Sequence, residues 1–470
     1  MVTAGVAVGG VGTASARVPR RPAQTGGAPT QEARVVPDDG DDGDQFGWSM
    51  ALDGGTALVC APTDADPNGP RAGSAYVFER TDGGWEQAAK LAPDDGDSGD
   101  FFGTAAALDA GTALVGARRD ENPNGPRAGS AYVFERTDGG WEQAAKLAPE
   151  GVGVDERFGW AIALAGETAL VGTPRDTENE VGAGAARAFE RSDGEWTLQT
   201  QLLADDADGD DFFGSSVALS GDTALVGAPG DEDPNGEQAG SAYVFGRDDG
   251  GWTQRAKFAP ENGDGEDLFG TAVDLAGGTA LVTAVHDEDS NGEQGGSAHV
   301  FEQSDGGWEQ AAKLASGDGA EGDEFGWAIA LAGETALVGA RRHAGNGEDA
   351  GAVYAFDGSD SGWEQAAKLV PEDSGEGARV GTSVALDGGT ALVGAPGDAT
   401  ETDDGNAETG SVYGFALGED TPTASPTRTP TPTPTPSPAP TETPGGDGPG
   451  FGVAAALSGL AGWLWWRRSR

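Results

Sequence analysis

The segment from Phe213 to Pro229 reads FGSSVALSGDTALVGAP, and versions of it recur along most of the chain. The opening Phe-Gly, changed to Val-Gly in the last copy, is followed each time by a version of Ala-Leu-Val-Gly-Ala-Pro. Successive copies lie 56, 56, 55, 56, 56 and 55 residues apart. So regular a spacing indicates one supersecondary unit repeated seven times. The copies begin at Phe46, Phe102, Phe158, Phe213, Phe269, Phe325 and Val380.

Each repeat contains four runs typical of β-strands, separated by turn-forming residues. In the second repeat they are FGTAAALD (102–109), GTALVGA (111–117), GSAYVFER (129–136) and WEQAAKLAP (141–149), here named strands A, B, C and D. No segment of a repeat shows a sustained helical period. Four strands in a unit of this length are typical of a propeller blade. We therefore predict an all-β fold, a seven-bladed β-propeller of four-stranded blades.

The two ends of the array predict that the ring is closed. The last repeat stops after strand C, at 410–415, and no Trp-Glu-Gln run follows it. A run that resembles strand D, from Glu32 to Pro37, instead precedes the first Phe-Gly. An N-terminal strand D would complete the seventh blade and remove two exposed sheet edges. The propeller is therefore predicted to span residues 32–417.

The paired motifs, clearest at Phe213–Gly214 and Gly227–Pro229, resemble the FG-GAP repeats of the integrin alpha-chain propeller and of many microbial surface proteins. The resemblance covers the whole predicted ring and implies the propeller fold. It implies less about function, because the family includes adhesion modules, ligand-binding modules and domains appended to enzymes. In this family calcium is often held by an Asp-rich loop between strands A and B. Here that connection is a tight turn such as Ser220–Thr223, which leaves no room for an ion, so those calcium sites are not carried over.

Acidic residues concentrate instead in the loops that join strands B to C and D to A. In an antiparallel blade these BC and DA loops, such as 229–240 and 93–101, lie together on what we name the long-loop face. The short AB and CD turns lie on the opposite face. Rigid scaffolds concentrate binding residues in such loops, and propellers that resemble this one are thought to recognise partners on that face. We predict that the long-loop face is the binding surface.

Four BC loops place oxygen-bearing side chains at the spacing of a calcium loop. In DEDPNG, positions one, three and five are Asp231, Asp233 and Asn235, and Gly236 at position six allows the sharp turn. Position twelve is Ala242 rather than a bidentate Glu, and the same residues also form ordinary acidic turns. Both interpretations stay open: Ca²⁺ as a cofactor in at least one loop, or turns without an ion. The candidate ligands are Asp64, Asp66 and Asn68; Asp120, Asn122 and Asn124; Asp231, Asp233 and Asn235; and Asp287, Asp289 and Asn291.

Two arginine pairs, Arg118–Arg119 and Arg341–Arg342, interrupt the acidic long-loop face. We predict that they contribute to a ligand site, because they break the symmetry of the repeats. Signs of catalysis are missing: His286 and His299 fall in the fifth repeat and His343 in the sixth, and the sequence has no nucleophile elbow, phosphate-binding loop or His-rich metal motif. The acidic pairs recur in most repeats, as structural loops do. We predict that the protein is not an enzyme.

The formal net charge of −51 indicates adaptation to high salt. Molar salt shortens the Debye length to ~3 Å, which screens the self-repulsion of such a surface. The five lysines, Lys90, Lys146, Lys257, Lys313 and Lys368, all occupy one equivalent position in strand D. A halophilic, haloarchaeal source is the interpretation we adopt. Nucleic acid is not an expected partner, since its binding requires a basic surface.

The C-terminal region predicts a surface anchor. Residues 418–448 form a Thr/Pro-rich linker that favours an extended stalk. Within 449–470, the motif Pro449-Gly450-Phe451, an uncharged run and a basic end resemble the PGF-CTERM sorting signal of haloarchaeal surface proteins. That resemblance implies cleavage by an archaeosortase-type enzyme and attachment to a membrane lipid. A plain tail anchor is the alternative.

Residues 1–31 are interpreted as a signal or propeptide-like segment, so the protein is expected to be exported to the cell surface. The predicted function is non-enzymatic binding or adhesion, with an extracellular protein or glycan as the unknown partner. A structural component of the cell envelope, without a specific ligand, is the alternative. A calcium-dependent binding module is a further one.

Overall fold

The computed structural model describes residues 28–418 except 66, 179, 233, 261, 262, 289–291, 360, 403 and 404. At 400–402 and 405–407 only the backbone is described. The predicted sorting motif at 449–451 and nearly all of the predicted linker lie outside these residues, as does most of the N-terminal segment. The chain divides into two compact units, Met1–Thr421 and Pro422–Arg470, and every described residue belongs to the first. Within that part, no helix is long and apolar enough to cross a membrane.

The described residues form thirty β-strands and no helix. Each blade is an antiparallel sheet of four strands. Blade 1 comprises β2 (Ser49–Asp53), β3 (Thr56–Ala61), β4 (Ser74–Thr81) and β5 (Gly84–Leu91); blade 2 comprises β6 (Phe102–Asp109), β7 (Thr112–Ala117), β8 (Ser130–Thr137) and β9 (Gly140–Leu147). Blade 3 comprises β10 (Ile162–Ala165), β11 (Thr168–Thr173), β12 (Ala185–Ser192) and β13 (Glu195–Leu202); blade 4 comprises β14 (Ser216–Ser220), β15 (Thr223–Ala228), β16 (Ser241–Asp248) and β17 (Gly251–Phe258).

Blade 5 comprises β18 (Phe269–Ala276), β19 (Thr279–Ala284), β20 (Ser297–Ser304) and β21 (Gly307–Leu314); blade 6 comprises β22 (Phe325–Ala332), β23 (Thr335–Ala340), β24 (Ala352–Ser359) and β25 (Gly362–Leu369). Blade 7 comprises β26 (Ser383–Asp387), β27 (Thr390–Ala395), β30 (Ser411–Ala416) and, from the other end of the chain, β1 (Thr30–Val35). A small hairpin, β28 (Thr400–Thr402) and β29 (Gly405–Ala407), extends the BC loop of blade 7. In blades 1, 3, 4 and 7 strand A begins three or four positions after the Phe or Val of the dipeptide rather than at it.

The N-terminal strand closes the ring, as predicted. In the seventh sheet the order is β1-β30-β27-β26, and β1 pairs antiparallel with β30. The register places Arg34 opposite Tyr413, as Lys146 lies opposite Tyr132 in blade 2. Arg34 therefore takes the position that lysine occupies elsewhere. The seven-bladed propeller of four-stranded blades is confirmed.

The Phe of each Phe-Gly packs in the core of its blade. Phe102 is fully buried, and its ring meets Tyr132 and Phe134 of strand C edge-on, with centroids 5.7 and 5.9 Å apart. Such edge-to-face pairs add stabilisation beyond that of the buried apolar area. Phe46, Phe213, Phe269 and Phe325 make the same pair of contacts with their own strands C. The Phe of the repeat motif therefore holds strand A against strand C.

The backbone at the same position joins consecutive blades. The amide of Phe102 donates to the carbonyl of Ala72 in the preceding blade at 2.8 Å, and a Cβ on the intervening Gly73 would lie 1.9 Å from the Phe102 carbonyl oxygen. Gly73 has a φ of +88°, so both the space and the dihedral angle require glycine. Equivalent amide bonds, between 2.8 and 3.1 Å, run from Phe46 to Thr409, Phe158 to Ala128, Phe213 to Ala183, Phe269 to Ala239, Phe325 to Gly295 and Val380 to Ala350.

Strands A form the innermost layer, since those of neighbouring blades contact each other around the whole ring. The residue before each Phe-Gly or Val-Gly dipeptide has a left-handed φ of 53–64°. These seven residues stand where the strands A begin on the long-loop face, and we name them the mouth residues. They are Gln45, Phe101, Arg157, Phe212, Leu268, Glu324 and Arg379.

Candidate functional site

On the long-loop face, lysines of strand D join a BC loop to a DA loop, an arrangement we name the clamp. In blade 2, Lys146 Nζ lies 2.7 Å from Asp95 of the DA loop and 3.0 Å from Asp120 of the BC loop. The Tyr132 hydroxyl hydrogen-bonds to both carboxylates. Burial alone would lower the pKa of Lys146, but the two carboxylates outweigh it and raise the pKa. The lysine therefore stays charged and neutralises two loops together.

The same clamp recurs in the other blades that contain this lysine. Lys90 contacts Asp39 at 2.6 Å and Asp64 at 3.0 Å, and Lys257 contacts Asp206 at 2.7 Å and Asp231 at 2.8 Å. Lys313 lies 2.7 Å from Asp287. These BC-loop aspartates are buried, with side chains 5% exposed or less. The strand D lysines therefore form ion pairs with loop aspartates, a role that their common position in the sequence did not reveal.

Three blades build the clamp from different residues. In blade 3, Arg187 replaces the tyrosine and pairs with Asp176, and both side chains are only 2% exposed. In blade 6, His343 stands at the position of the BC-loop aspartate and bridges Asp323 at 2.8 Å and Lys368 at 2.7 Å. In blade 7, Arg34 contacts Asp398 at 2.7 Å and Asp373 at 3.3 Å. Each blade therefore places a positively charged side chain among its buried loop acids.

The clamp and its neighbouring hydrogen bonds use side chains that the sequence analysis named as candidate calcium ligands. In the BC loop of blade 2, Asp120 is taken by Lys146, and Asn122 Oδ1 accepts the Asn124 amide at 2.9 Å. Asn124 Nδ2 turns to the carbonyl of Pro149 at 2.9 Å. Each of the three side chains is therefore engaged by another group of the protein, and calcium at this loop stays a prediction. In the part of the chain that the structure describes, no group of three or more His, Cys, Asp or Glu side chains could hold a metal ion.

The other three candidate loops are described only in part. Asp66, Asp233, Asp289 and Asn291 lie outside the described residues. Of their neighbours, Asn68 and Asn235 donate Nδ2 to the carbonyls of Pro93 and Pro260, both at 3.0 Å. Asp64, Asp231 and Asp287 each contact their lysine. Calcium at these loops stays a prediction.

Besides the BC-loop aspartates, four DA loops each contain a buried aspartate whose pKa is raised. Burial, together with the nearby BC-loop aspartate, raises the pKa of Asp44 to about 6, although the backbone amide of Asp41 opposes the shift. The equivalent side chains show the same shift, to about 6, for the same main reason. They are Asp100, Asp211 and Asp267. The long-loop face therefore holds carboxylates that are costly to ionise.

The two predicted arginine pairs have different surroundings. Arg341 Nε lies 2.6 Å from Glu324, and Arg342 lies 3.2 Å from the other oxygen of the same carboxylate. The Arg341 guanidinium also stacks on Trp327, 3.0 Å from the ring centroid. The charge of this pair is thus neutralised by Glu324, the mouth residue of the same blade. The structure does not bring the pair together with Arg118 and Arg119, which lie in blade 2.

The Arg118–Arg119 pair faces aromatic rings instead of a carboxylate. Both guanidinium groups lie over Phe101, at 5.5 and 4.7 Å from its centroid, and Arg118 also lies 4.8 Å from the centroid of Trp160. Arg157, the mouth residue of blade 3, lies over the ring of Trp160 at 5.4 Å from its centroid. Sequence reasoning missed Arg157 and Trp160, which stand on either side of the dipeptide Phe158–Gly159. A basic residue directly before a Phe-Gly dipeptide could have been recognised in the sequence.

Comparison with known proteins supports the repeat assignment. A family model described as FG-GAP repeat matches residues 29–78, 85–134, 141–189, 196–245, 252–301, 308–356 and 363–415. The chain belongs to the FG-GAP repeat family. Each matched segment begins in strand D of one blade and runs through strands A, B and C of the next. This family's repeat is therefore offset by one strand from the blade, as ring closure by β1 requires.

The propeller is also similar to solved structures at low sequence identity. The crystal structure of Saccharomyces cerevisiae Sqt1 is 10% identical, with a TM-score of 0.45, and the match covers 83% of this chain and 100% of that chain. A chain in the crystal structure of the Mitotic Checkpoint Complex is 11% identical, with a TM-score of 0.51 and coverage of 86% and 97%. The second likeness shows the fold alone. No curated protein matches the sequence significantly.

Replacing one clamp lysine tests its structural role. Lys257→Met leaves the buried Asp231 without its cation, so we expect the free energy of unfolding to fall by about 2–4 kcal/mol. Arg255→Met on the same strand is the matched control, because its ion pair with Asp248 is half exposed; we expect a loss of about 1 kcal/mol or less. Chemical unfolding in molar KCl measures both. Equal effects of the two substitutions would contradict the clamp.

The raised carboxylate pKa values predict a pH dependence of stability. Between the unfolded value of 3.8 and the folded value of about 6, the native state binds more protons than the unfolded state. Stability therefore falls as the pH rises through this window, and the loss is complete above it. Replacing Asp44, Asp100, Asp211 and Asp267 by Asn should flatten the profile and raise the melting temperature at neutral pH.

The control for this experiment removes the same charge from the opposite face. Asp82, Asp138, Asp249 and Asp305 are exposed residues of the CD turns. Replacing these four by Asn relieves the general self-repulsion equally, but it should leave the slope between pH 4 and 6 unchanged. Matching profiles for the two quadruple variants, measured by thermal unfolding at constant salt, would contradict the assignment.

Proposed function

We propose that this protein is a non-enzymatic binding protein of the cell surface, and that the long-loop face around its arginine–aromatic cluster holds the partner. The cluster comprises Arg118, Arg119, Arg157, Phe101 and Trp160. The observation that supports the proposal most is that a chain of formal net charge −51 keeps three arginines together there. Among the described residues, none of the three forms an ion pair.

This charge arrangement supports a binding role over a purely structural one. A surface component without a ligand has no reason to hold like charges together, since each arginine raises the cost of ionising the next. The clamp residues show that this fold otherwise pairs its charges blade by blade. A cluster left without a counter-charge is therefore consistent with a site that receives it from a partner.

Display at the surface is part of the proposal. The Thr/Pro-rich linker would hold the propeller away from the envelope, and the motif at Pro449–Phe451 would direct processing by an archaeosortase-type enzyme and attachment to a lipid. Both segments lie outside the described residues, so these steps rest on the sequence. The partner is an extracellular protein or glycan, met in high salt.

Charge reversal tests the binding face. The labelled full-length protein is expected to bind saturably to intact cells of its source in molar KCl. Arg118→Glu with Arg119→Glu should weaken this binding by about tenfold or more, because each reversal replaces an attraction by a repulsion. Cell-associated fluorescence as a function of protein concentration measures the change.

The matched control reverses the charge of two arginines that lie away from the long-loop face. Arg136→Glu and Arg255→Glu alter exposed arginines near the CD turns, with side chains 52% and 49% exposed. We expect this variant to bind like the unaltered protein. Equal saturable binding by all three proteins would exclude the arginine cluster as the contact, whereas no saturable binding by any of them would favour the structural envelope role.

A further inference from the structure

The arginine–aromatic cluster, which lies between blades 2 and 3, contains buried hydrogen-bond donors. The Nε atoms of Arg118 and Arg157 and the indole Nε1 of Trp160 are buried and have no hydrogen-bond partner among the described residues. Burial, with the charges of neighbouring arginines, lowers the pKa of both Arg118 and Arg157 to about 10. Buried donors without acceptors are costly. The two guanidinium donors distinguish this cluster, since the indole nitrogen of Trp327 in blade 6 also lacks a partner among the described residues.

The acid that acts on Arg157 does not form an ion pair with this cluster. Asp155 attracts Arg157 electrostatically, but its carboxylate forms its ion pair with Arg127 at 2.8 Å. The neighbouring basic residues, Arg119 and Arg175, add repulsion instead. The cluster therefore has a surplus of positive charge that the described part of the chain leaves unmatched.

Blade 6 shows what completes such a cluster. Both blades continue strand B with Gly-Ala-Arg-Arg, so Arg341 is the counterpart of Arg118. The mouth residue is Glu324 in blade 6 and Phe101 in blade 2, and both have the same left-handed φ. In blade 6 the Glu324 carboxylate accepts from both arginines. Blade 2 has the two guanidinium groups and an aromatic ring but lacks the carboxylate.

We propose that the cluster of Arg118, Arg119 and Arg157 binds a carboxylate or sulfate group carried by an acidic saccharide, which takes the place that Glu324 fills in blade 6. This inference rests on the proposed function and names the chemistry of its partner. Guanidinium groups match planar and tetrahedral oxyanions with paired hydrogen bonds. Stacking on Phe101 and Trp160 holds these groups in place.

The negative charge around the cluster favours a ligand with few, well-separated acidic groups. The BC and DA loops around the cluster are acidic, so a densely charged polyanion is repelled at every point outside it. A saccharide with isolated acidic groups presents one oxyanion at a time and otherwise only hydroxyls. The apolar faces of its rings can also pack against Phe101, which is partly exposed.

The site can be tested without destabilising the fold, because blade 6 supplies the design. Phe101→Glu copies the arrangement of Glu324 into blade 2. It should neutralise the arginines, raise the melting temperature of the unliganded protein and abolish saccharide binding. Arg118→Gln with Arg157→Gln should lower affinity about tenfold or more while keeping the fold. Arg136→Gln with Arg255→Gln is the control expected to bind normally.

The probes are a uronic-acid oligosaccharide, a sulfated oligosaccharide and an uncharged oligosaccharide of the same length, measured by calorimetry with the full chain in molar KCl. We expect one or both acidic probes, and not the uncharged one, to bind; which acidic probe binds distinguishes carboxylate from sulfate. Binding that survives Phe101→Glu, or equal binding of the uncharged probe, would overturn the proposal. So would binding of a Glu-rich peptide in place of every saccharide.

Two outcomes separate this inference from the proposed function. Loss of cell binding in the Arg118→Glu, Arg119→Glu variant without binding of any acidic saccharide would leave the face correct and the ligand class wrong. Saccharide binding that depends on Arg118 and Arg157, without any binding to cells, would keep the site and reject the surface role.

Discussion

The bond from each Phe-Gly amide to the carbonyl of the preceding blade is the contact on which the rest of the ring depends. It recurs seven times, the Val380 copy included, and the Phe46 copy joins the two ends of the chain. The close approach leaves no space for a side chain on the glycine before strand C. The same backbone turn places the preceding residue in the left-handed region. The contact that joins the blades therefore also fixes the backbone of one mouth residue in each blade.

Charge is organised on this frame at two levels. Within the blades, a lysine, arginine or histidine pairs with the buried loop carboxylates, and in blades 1, 2, 4, 6 and 7 these contacts also tie the BC loop to the DA loop. Between blades, the mouth residues vary freely because their backbone is fixed by the Phe-Gly contact. Repetition supplies a rigid scaffold, and the seven non-repeated positions distinguish one blade from another. Blades 2 and 6 show the consequence, since one residue decides whether an arginine pair is neutralised.

The sequence predicted the fold almost completely, because the features that set it are local and repeated. Glycine and phenylalanine at fixed spacing define the blade, and the displaced strand D at Glu32–Pro37 predicted the closure that β1 makes. The lysines were visible at one equivalent position, yet their role required knowing that strand D passes beside both loops. Composition alone suggested only adaptation to salt.

The candidate site was predictable only in part. Arg118, Arg119, Arg341 and Arg342 were recognised as breaks in the acidic pattern, but the sequence treats the two pairs as equivalent. What separates them is the mouth residue some 17 positions earlier, Phe101 or Glu324, and that relation exists only in the folded ring. The acid spacing of the BC loops predicted calcium, but an Asp carboxylate can bind a hard cation or a buried lysine, so the spacing alone does not distinguish the two roles.

Amide hydrogen exchange at the Phe-Gly positions tests the central claim most directly. If the inter-blade bond holds every blade to the next, the amide of Phe46 should be as strongly protected as those of Phe102, Phe158, Phe213, Phe269 and Phe325. Exchange of all six only through global unfolding is the expected result. Exchange of Phe46 at the rate of an open loop, with the other five protected, would mean that the ring is not closed by this contact and would contradict the account.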